Sequence, residues 1–225
     1  MKNLVAKNLE GCKTCQLFTP KTKEEPVAAE RTNTGGWEEV SIDLFGPLPD
    51  KKHVLVVQDT MSRFPAAAIV QNTAGRPVVK ALDNIYTSYG MTEFHSTDNG
   101  PPFNSEHFER YSTYKGIKHI KSYPHHPQGN ACETFMKPLG KTLKAAYFNR
   151  DNAQHALDEL LKAYRTTPHP ATKAAPGDLL FMCGYHSDFP WRPDIEDAME
   201  EATLHDRTQK QERNLRLNSS TKRVP

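Results

Sequence analysis

Glu39-Val40-Ser41-Ile42-Asp43-Leu44-Phe45-Gly46-Pro47-Leu48-Pro49 is the stretch that decides the fold. Val40, Ile42 and Leu44 alternate with other residues at the period of a strand, and the Gly-Pro pair closes the run as a turn. Asp43 stands on the polar side of that alternation, directly before an apolar pair, an unusual place for an acid. Two further short apolar runs, 53–58 and 65–71, are separated by Asp59-Thr60-Met61-Ser62-Arg63, so the three together predict a meander.

Beyond the meander the period changes. Val78/Val79, Leu82, Ile85/Tyr86 and Tyr89 recur at 3 to 4, which predicts a helix with Pro77 in its first turn, well capped at both ends and stopped by Gly90. Residues 92–97 predict a short strand running into the turn Asp98-Asn99-Gly100-Pro101-Pro102. A second helix is expected over 105–115, capped by Asn104 or Ser105, with Phe108, Tyr111 and Tyr114 on one face and Gly116 after it. Residues 117–122 predict another strand. Tyr123-Pro124-His125-His126-Pro127-Gln128-Gly129-Asn130 breaks both periods and predicts a mobile loop. A helix then starts near Glu133 and runs through Leu139, Leu143 and Tyr147, with Pro138 predicting a kink or break. Another spans 151–165. Strands first, then alternating helix and strand, then helices imply an α/β protein with a mixed sheet and helices packed on its faces.

Length, composition and charge bound the rest. A chain of 225 residues holds one full domain with flanking pieces. Its longest apolar stretch, 65–70, falls far short of the roughly 18 residues a membrane helix needs, so no membrane span is expected. Four cysteines, two of them close together, suit reduced thiols in an intracellular protein. The net charge is only +2, but between 111 and 150 seven Lys or Arg face the single acid Glu133. From 191 to 206 the balance reverses, Arg192 facing six acids. A polyanion partner for the middle of the chain follows, although a solvated charged face gives the same count.

Three acids draw attention: Asp43 inside a strand, Asp98 at a strand end, Glu133 at a helix start. Each taken alone reads as a cap or a solvated surface group. They converge only if the first and fourth strands are neighbours. Their mutual repulsion would then call for divalent cations. Two such ions about 4 Å apart suit in-line phosphoryl transfer.

The text around these acids resembles a known family. Ser41-Ile42-Asp43-Leu44-Phe45-Gly46-Pro47, Ser96-Thr97-Asp98-Asn99-Gly100-Pro101-Pro102-Phe103-Asn104, then His125-His126-Pro127-Gln128-Gly129-Asn130 and Glu133 resemble the integrase catalytic core of Ty3/Gypsy-type retrotransposons and retroviruses, over about residues 36–187. The resemblance implies a ribonuclease H-like, mixed five-stranded sheet with helices on both faces. It also implies Mg²⁺ or Mn²⁺, two ions held by Asp43, Asp98 and Glu133, and 3′-end processing and strand transfer of retroelement DNA. Lys137 and Lys141, at i+4 and i+8 from Glu133, would contact the DNA backbone, with Gln128 and Asn130 of the loop near a DNA end. The partners implied are element and target DNA and further copies of the chain, in the nucleus. Asp59 matches the turn between the second and third strands, where a structural cap is expected.

In one respect the chain departs from the family. The interval from Asp98 to Glu133 is one residue short, between Asn130 and Glu133. If the helix starts at a fixed point, that loss turns Glu133 by about 100° off the metal face. If the helix keeps its register to Leu139 and Leu143, the loop shortens and the carboxylate stays, the cheaper outcome for a mobile loop. A catalytically inactive DNA-binding or interaction module derived from an integrase is the alternative. A nuclease acting on RNA–DNA hybrids is disfavoured by the Asp-Asn-Gly and His-Pro-Gln-Gly-Asn signatures.

Residues 1–19 resemble the second half of a His-His-Cys-Cys zinc module. Cys12 and Cys15 are present, but the first histidine of the chain is His53. Two thiolates do not fill a tetrahedral site, so zinc is not expected here. Cys132 and Cys183 read as small packing residues. Residues 20–35 read as a linker, and 188–225 as a charged tail without the accessory C-terminal domain of the family. The expectation is a fragment or a degraded copy holding the core.

Overall fold

The computed structural model describes residues 35–121, 132–183 and the helical positions 200, 201, 204, 205, 208, 211 and 212. All but the last two of these belong to one compact unit spanning Arg31–Gln209. Its elements are β1 (Glu39–Phe45), β2 (His53–Asp59), β3 (Pro65–Val70), α1 (Gly75–Tyr89), β4 (Phe94–Thr97), α2 (Glu106–Lys115), β5 (Lys118–Lys121), α3 (Cys132–Asn149), α4 (Ala153–Thr166) and α5 (Pro176–Phe181).

The sheet has the order β3-β2-β1-β4-β5. β1, β2 and β3 are antiparallel neighbours, as a meander requires, whereas β4 lies parallel to β1 and β5 parallel to β4. β1 is therefore central, and its residues Val40, Ser41 and Ile42 are all buried. The alternation of apolar and polar residues hides this because the polar side is covered too, by a serine rather than a hydrophobe. Ser41 Oγ meets Ser96 Oγ of β4 at 2.9 Å, so each hydroxyl satisfies the other under the covering helix.

Two cores follow from the two faces. Val40, Ile42, Leu55 and Val57 pack with Val78, Leu82, Ile85 and Tyr86 of α1 and with Phe108 of α2. Val54 and Val56 pack on the opposite face with Cys132, Phe135, Leu139 and Leu143 of α3 and with Leu157 and Leu161 of α4.

Asp59 is fully buried and structural. It accepts the backbone N–H of Trp37 at 3.0 Å, the N–H of Ser62 at 2.7 Å and the Ser62 hydroxyl at 2.5 Å, which closes the β2–β3 turn. Burial raises its pKa, while the Ser62 and Trp37 hydrogen bonds act in the opposite sense.

Several sequence expectations are corrected here. α1 begins at Gly75, so Pro77 does lie in its first turn, but its N-cap Ala74 makes no side-chain cap. Tyr114 is 86% exposed, because the buried face of α2 runs through Phe108 and Ser112, four residues apart. Pro138 does not break α3. The carbonyl it leaves without a helical donor belongs to exposed Thr134, where water can reach it. Cys183 is exposed, and only Cys132 is a packing residue. The short helix α5 carries no distinct signal beyond Pro176 at its first turn. The expected loop 123–130, the Cys12/Cys15 segment and the linker fall outside the described residues.

β5 at one edge of the sheet is four residues long, with exposed lysines at both ends. At the other edge, Arg165 of α4 lays its guanidinium 4.4 Å from the Phe64 ring and donates from Nε to the Pro65 carbonyl at 3.0 Å.

Beneath α2 lies a buried histidine. His95 receives Ser112 Oγ at 3.0 Å on Nε2 and Tyr86 Oη at 3.4 Å on Nδ1, or donates to them, and its ring lies 5.0 Å from that of His119. Burial, then the His119 charge, lower its pKa to about 3. Burial and Lys121 lower that of His119, with Glu109 opposing. A base with a depressed folded pKa contributes stability above its unfolded pKa near 6.5 and loses it as pH falls toward 3. Urea unfolding at pH 7 and pH 5 is expected to show a loss of about 2 kcal/mol from His95 alone. A His95→Gln variant, less stable at both pH values, is expected to show a smaller drop between them.

Candidate active site

The parallel pairing of β1 with β4 runs Glu39↔Phe94 to Ile42↔Thr97. Asp98 follows directly, one register step on, and so comes level with Asp43. Alternation puts both on the face of Ser41 and Ser96, the face that α3 covers. Asp43 is half-buried and accepts the N–H of Leu44 at 2.7 Å. On its other side it is paired with Val56 of β2.

Asp98 is exposed, at the mouth of the β4–α2 turn, and accepts the N–H of Gly100 at 3.1 Å. A Cβ at position 100 would lie 3.0 Å from Asp98 Oδ2, so the glycine leaves room for the carboxylate. Thr97 buttresses the same corner. Its hydroxyl donates to the Asp98 carbonyl at 2.8 Å and meets His119 Nε2 at 2.8 Å.

α3 lies along β1 and is held at two points. At its first turn the buried Cys132 thiol donates to the Ser41 carbonyl at 3.2 Å. Burial, with Asp43 adding to it, pushes that thiol well above its usual pKa and keeps it a donor. Two turns on, Gly140 sits against Phe45, where a Cβ would come within 3.0 Å of the ring. The spacing between anchors is about 12 Å along the helix and about 13 Å along the strand, so the two elements run side by side in the same sense. Glu133 follows Cys132 in the first turn and lies about 20° around the helix from Gly140.

The buried face of α3 bears on the missing loop residue. Cys132, Phe135, Leu139 and Leu143 are fully buried. Turning the helix by 100° would lift Phe135, Leu139 and Leu143 out of the core at about 1.5–3 kcal/mol each. A connection one residue shorter changes closure entropy by far less than about 0.6 kcal/mol. The helix accordingly keeps Leu139 and Leu143 inward.

Lys137 and Lys141 are exposed on α3 and follow Glu133 on the same helical arc. Gln128 and Asn130, and likewise Cys12 and Cys15, lie outside the described residues, as does the side chain of Glu133. Among the described residues no three His, Cys, Asp or Glu side chains form a metal-binding group; the two level aspartates are a pair. Sequence inspection missed the supporting residues Cys132, Gly140 and Thr97. Only the glycine inside a helical pattern carried a signal of close approach.

A five-stranded mixed sheet in this order, with helical pairs on both faces, has the ribonuclease H-like fold of retroviral integrase catalytic cores. The magnesium complex of the HTLV-2 integrase catalytic core domain, in trimeric form, aligns with TM-score 0.55 and 17% identity over 64% of this chain and 97% of that one. The bovine immunodeficiency virus (BIV) integrase core aligns with TM-score 0.54 and 20% identity over 65% and 95%. A chain of the simian T-cell lymphotropic virus intasome, in complex with PP2A regulatory subunit B56 gamma, aligns with TM-score 0.62 and 19% identity over 86% and 70%.

Homologues by sequence are retroviral polyproteins and a nematode protein. The chain is 27% identical over 168 residues to the Gag-Pol polyprotein of feline leukemia virus, covering 72% of this chain and 10% of the polyprotein. It is 26% identical over 161 residues to uncharacterized protein K02A2.6 of Caenorhabditis elegans, covering 71% and 13%. The Gag-Pro-Pol polyprotein of Mason-Pfizer monkey virus is 33% identical over 85 residues. The chain thus spans a small part of the length of these relatives. No family model matches it.

The contact at Gly140 is open to test. Gly140→Leu is expected to lower unfolding stability by about 1–3 kcal/mol through overpacking against Phe45. Combined with Phe45→Ala, which empties the opposing space, the losses measured by urea denaturation are expected to fall short of their sum.

Proposed function

We propose that this chain is the catalytic core of a retroelement integrase, a metal-dependent polynucleotidyl transferase that processes 3′ ends of element DNA and joins them to a target. The observation that carries this reading is the parallel β1–β4 register, which runs on to Asp43 of β1 and to Asp98 just past the end of β4, beside the first turn of the helix that bears Glu133. Carboxylates at the carboxyl ends of neighbouring strands are hard oxygen donors, a set suited to Mg²⁺ or Mn²⁺. When bound, such cations acidify the attacking water or 3′-hydroxyl and stabilise the leaving oxygen.

The residues of the chain have distinct tasks in this scheme. Asp43 and Asp98 are the ligands set on the rigid sheet, and Glu133 completes the set from the helix. Gly100 leaves space for the Asp98 carboxylate, and Thr97 holds the backbone at that corner. Lys137 and Lys141 attract phosphates, together with Gln128 and Asn130 of the preceding loop. The protein would act as a multimer joining two DNA ends, a reading supported by the intasome assembly of the simian viral neighbour, and in the nucleus, where the target lies.

A second reading, an inactive DNA-binding or interaction module, draws on the one-residue deficit before Glu133. One assay separates the two. With Mn²⁺ and a pre-processed element-end duplex, the protein is expected to give strand-transfer products. Asp98→Asn and Asp43→Asn are expected to reduce them by more than the roughly 10–100-fold that loss of an outer-shell partner costs a metal site. Salt-sensitive DNA binding without any product from the unaltered protein would establish the inactive module.

A further inference from the structure

The solvent face of α3 is more ordered in its chemistry than a generic charged surface. At 100° per residue, Lys137, Lys141, Lys144 and Phe148 fall within an arc of about 60°, roughly opposite the buried Cys132, Phe135, Leu139, Leu143 and Ala146. Those four are the only residues of α3 on that arc, and none of them is an acid. The three lysines are exposed, and Phe148 ends the stripe with 89% of its surface in water. Arg150, exposed just past the helix end, adds a further positive charge. Nothing in the described fold uses the Phe148 ring, since a side chain so exposed contributes almost no burial.

We propose that this stripe is a DNA track extending from the candidate active site, in which Lys144 contacts a backbone phosphate beyond those met by Lys137 and Lys141, and Phe148 stacks on an unpaired base. The inference rests on the integrase reading for its substrate class. It adds the length of the site and an aromatic contact at its far end. From Glu133 to Phe148 the helix rises about 22 Å, the span of six to seven nucleotides at about 3.4 Å each. A row of cations on one line matches a phosphate backbone. An aromatic on the same line offers a face on which any base can stack without sequence preference.

The test is DNA binding without divalent metal, so that chemistry plays no part. Fluorescence anisotropy is measured on a short duplex carrying a single-stranded overhang and on its blunt counterpart, across a salt series. Lys144→Gln is expected to reduce the slope of log K against log salt by about 0.9, one phosphate contact. Phe148→Ala is expected to weaken overhang binding by about 5- to 100-fold with the slope unchanged, and Phe148→Trp to restore it. Both side chains are exposed, so these variants fold. Affinities and slopes equal to the unaltered protein, or no DNA binding by that protein at all, would overturn the track. A shift in sedimentation of free Phe148→Ala with unchanged DNA affinity would assign the ring to a contact between copies and equally overturn it. Absent strand transfer alongside the expected binding changes would remove the transferase reading and leave the track standing.

Discussion

The whole arrangement depends on β4 being added parallel to β1 in the middle of the sheet. Had the chain continued its meander, the Asp-Asn-Gly-Pro-Pro turn would have emerged at the sheet edge, away from Asp43. Instead α1 carries the chain from the far edge strand β3 to the vacant side of β1, and equal register steps bring Asp43 and Asp98 level. The Ser41–Ser96 hydroxyl pair lies in the same pairing, one alternation before the acids. Small side chains there let α3 settle close to the strands, and the paired hydroxyls avoid the penalty of an unsatisfied buried donor.

Two acids of one sheet stand in opposite environments. Asp59 is enclosed, with its oxygens taken up by Trp37 and Ser62, and it fixes a turn. Asp98 is exposed at a loop mouth, its Oδ1 in contact with only a short backbone turn. Both sit at strand ends beside turn residues, and both are Asp. Their local sequences distinguish them less than the burial around them does. The difference is written in the tertiary structure, through Trp37 closing over one while, among the described residues, the other stays open to water.

Much of the fold was legible because its signals were local. The strands of the meander and the Ser105 cap of α2 follow from period, turn residues and side-chain capping within a few positions. Tyr114 misled because an aromatic six residues from Phe108 suggests a shared face that 100° per residue does not allow. Pro138 does not end α3, because propensity weighs a lost hydrogen bond but not the packing that holds the helix on both sides of it. For the candidate site, motif order singled out the acids as candidates, whereas the anchors that orient the helix were invisible. Cys132 and Gly140 act through contacts with residues about 90 positions earlier in the chain. Such contacts leave no mark in a local window.

The edges of the sheet have a consequence for how copies of the chain associate. Open strands invite hydrogen-bonded growth from one molecule to the next, yet here one rim is a stub fenced by Lys118 and Lys121, and the other has a carbonyl already occupied by Arg165. Self-association by strand addition is thereby discouraged. Among the described residues, then, neither rim of the sheet is set up to grow into a fibril-like stack.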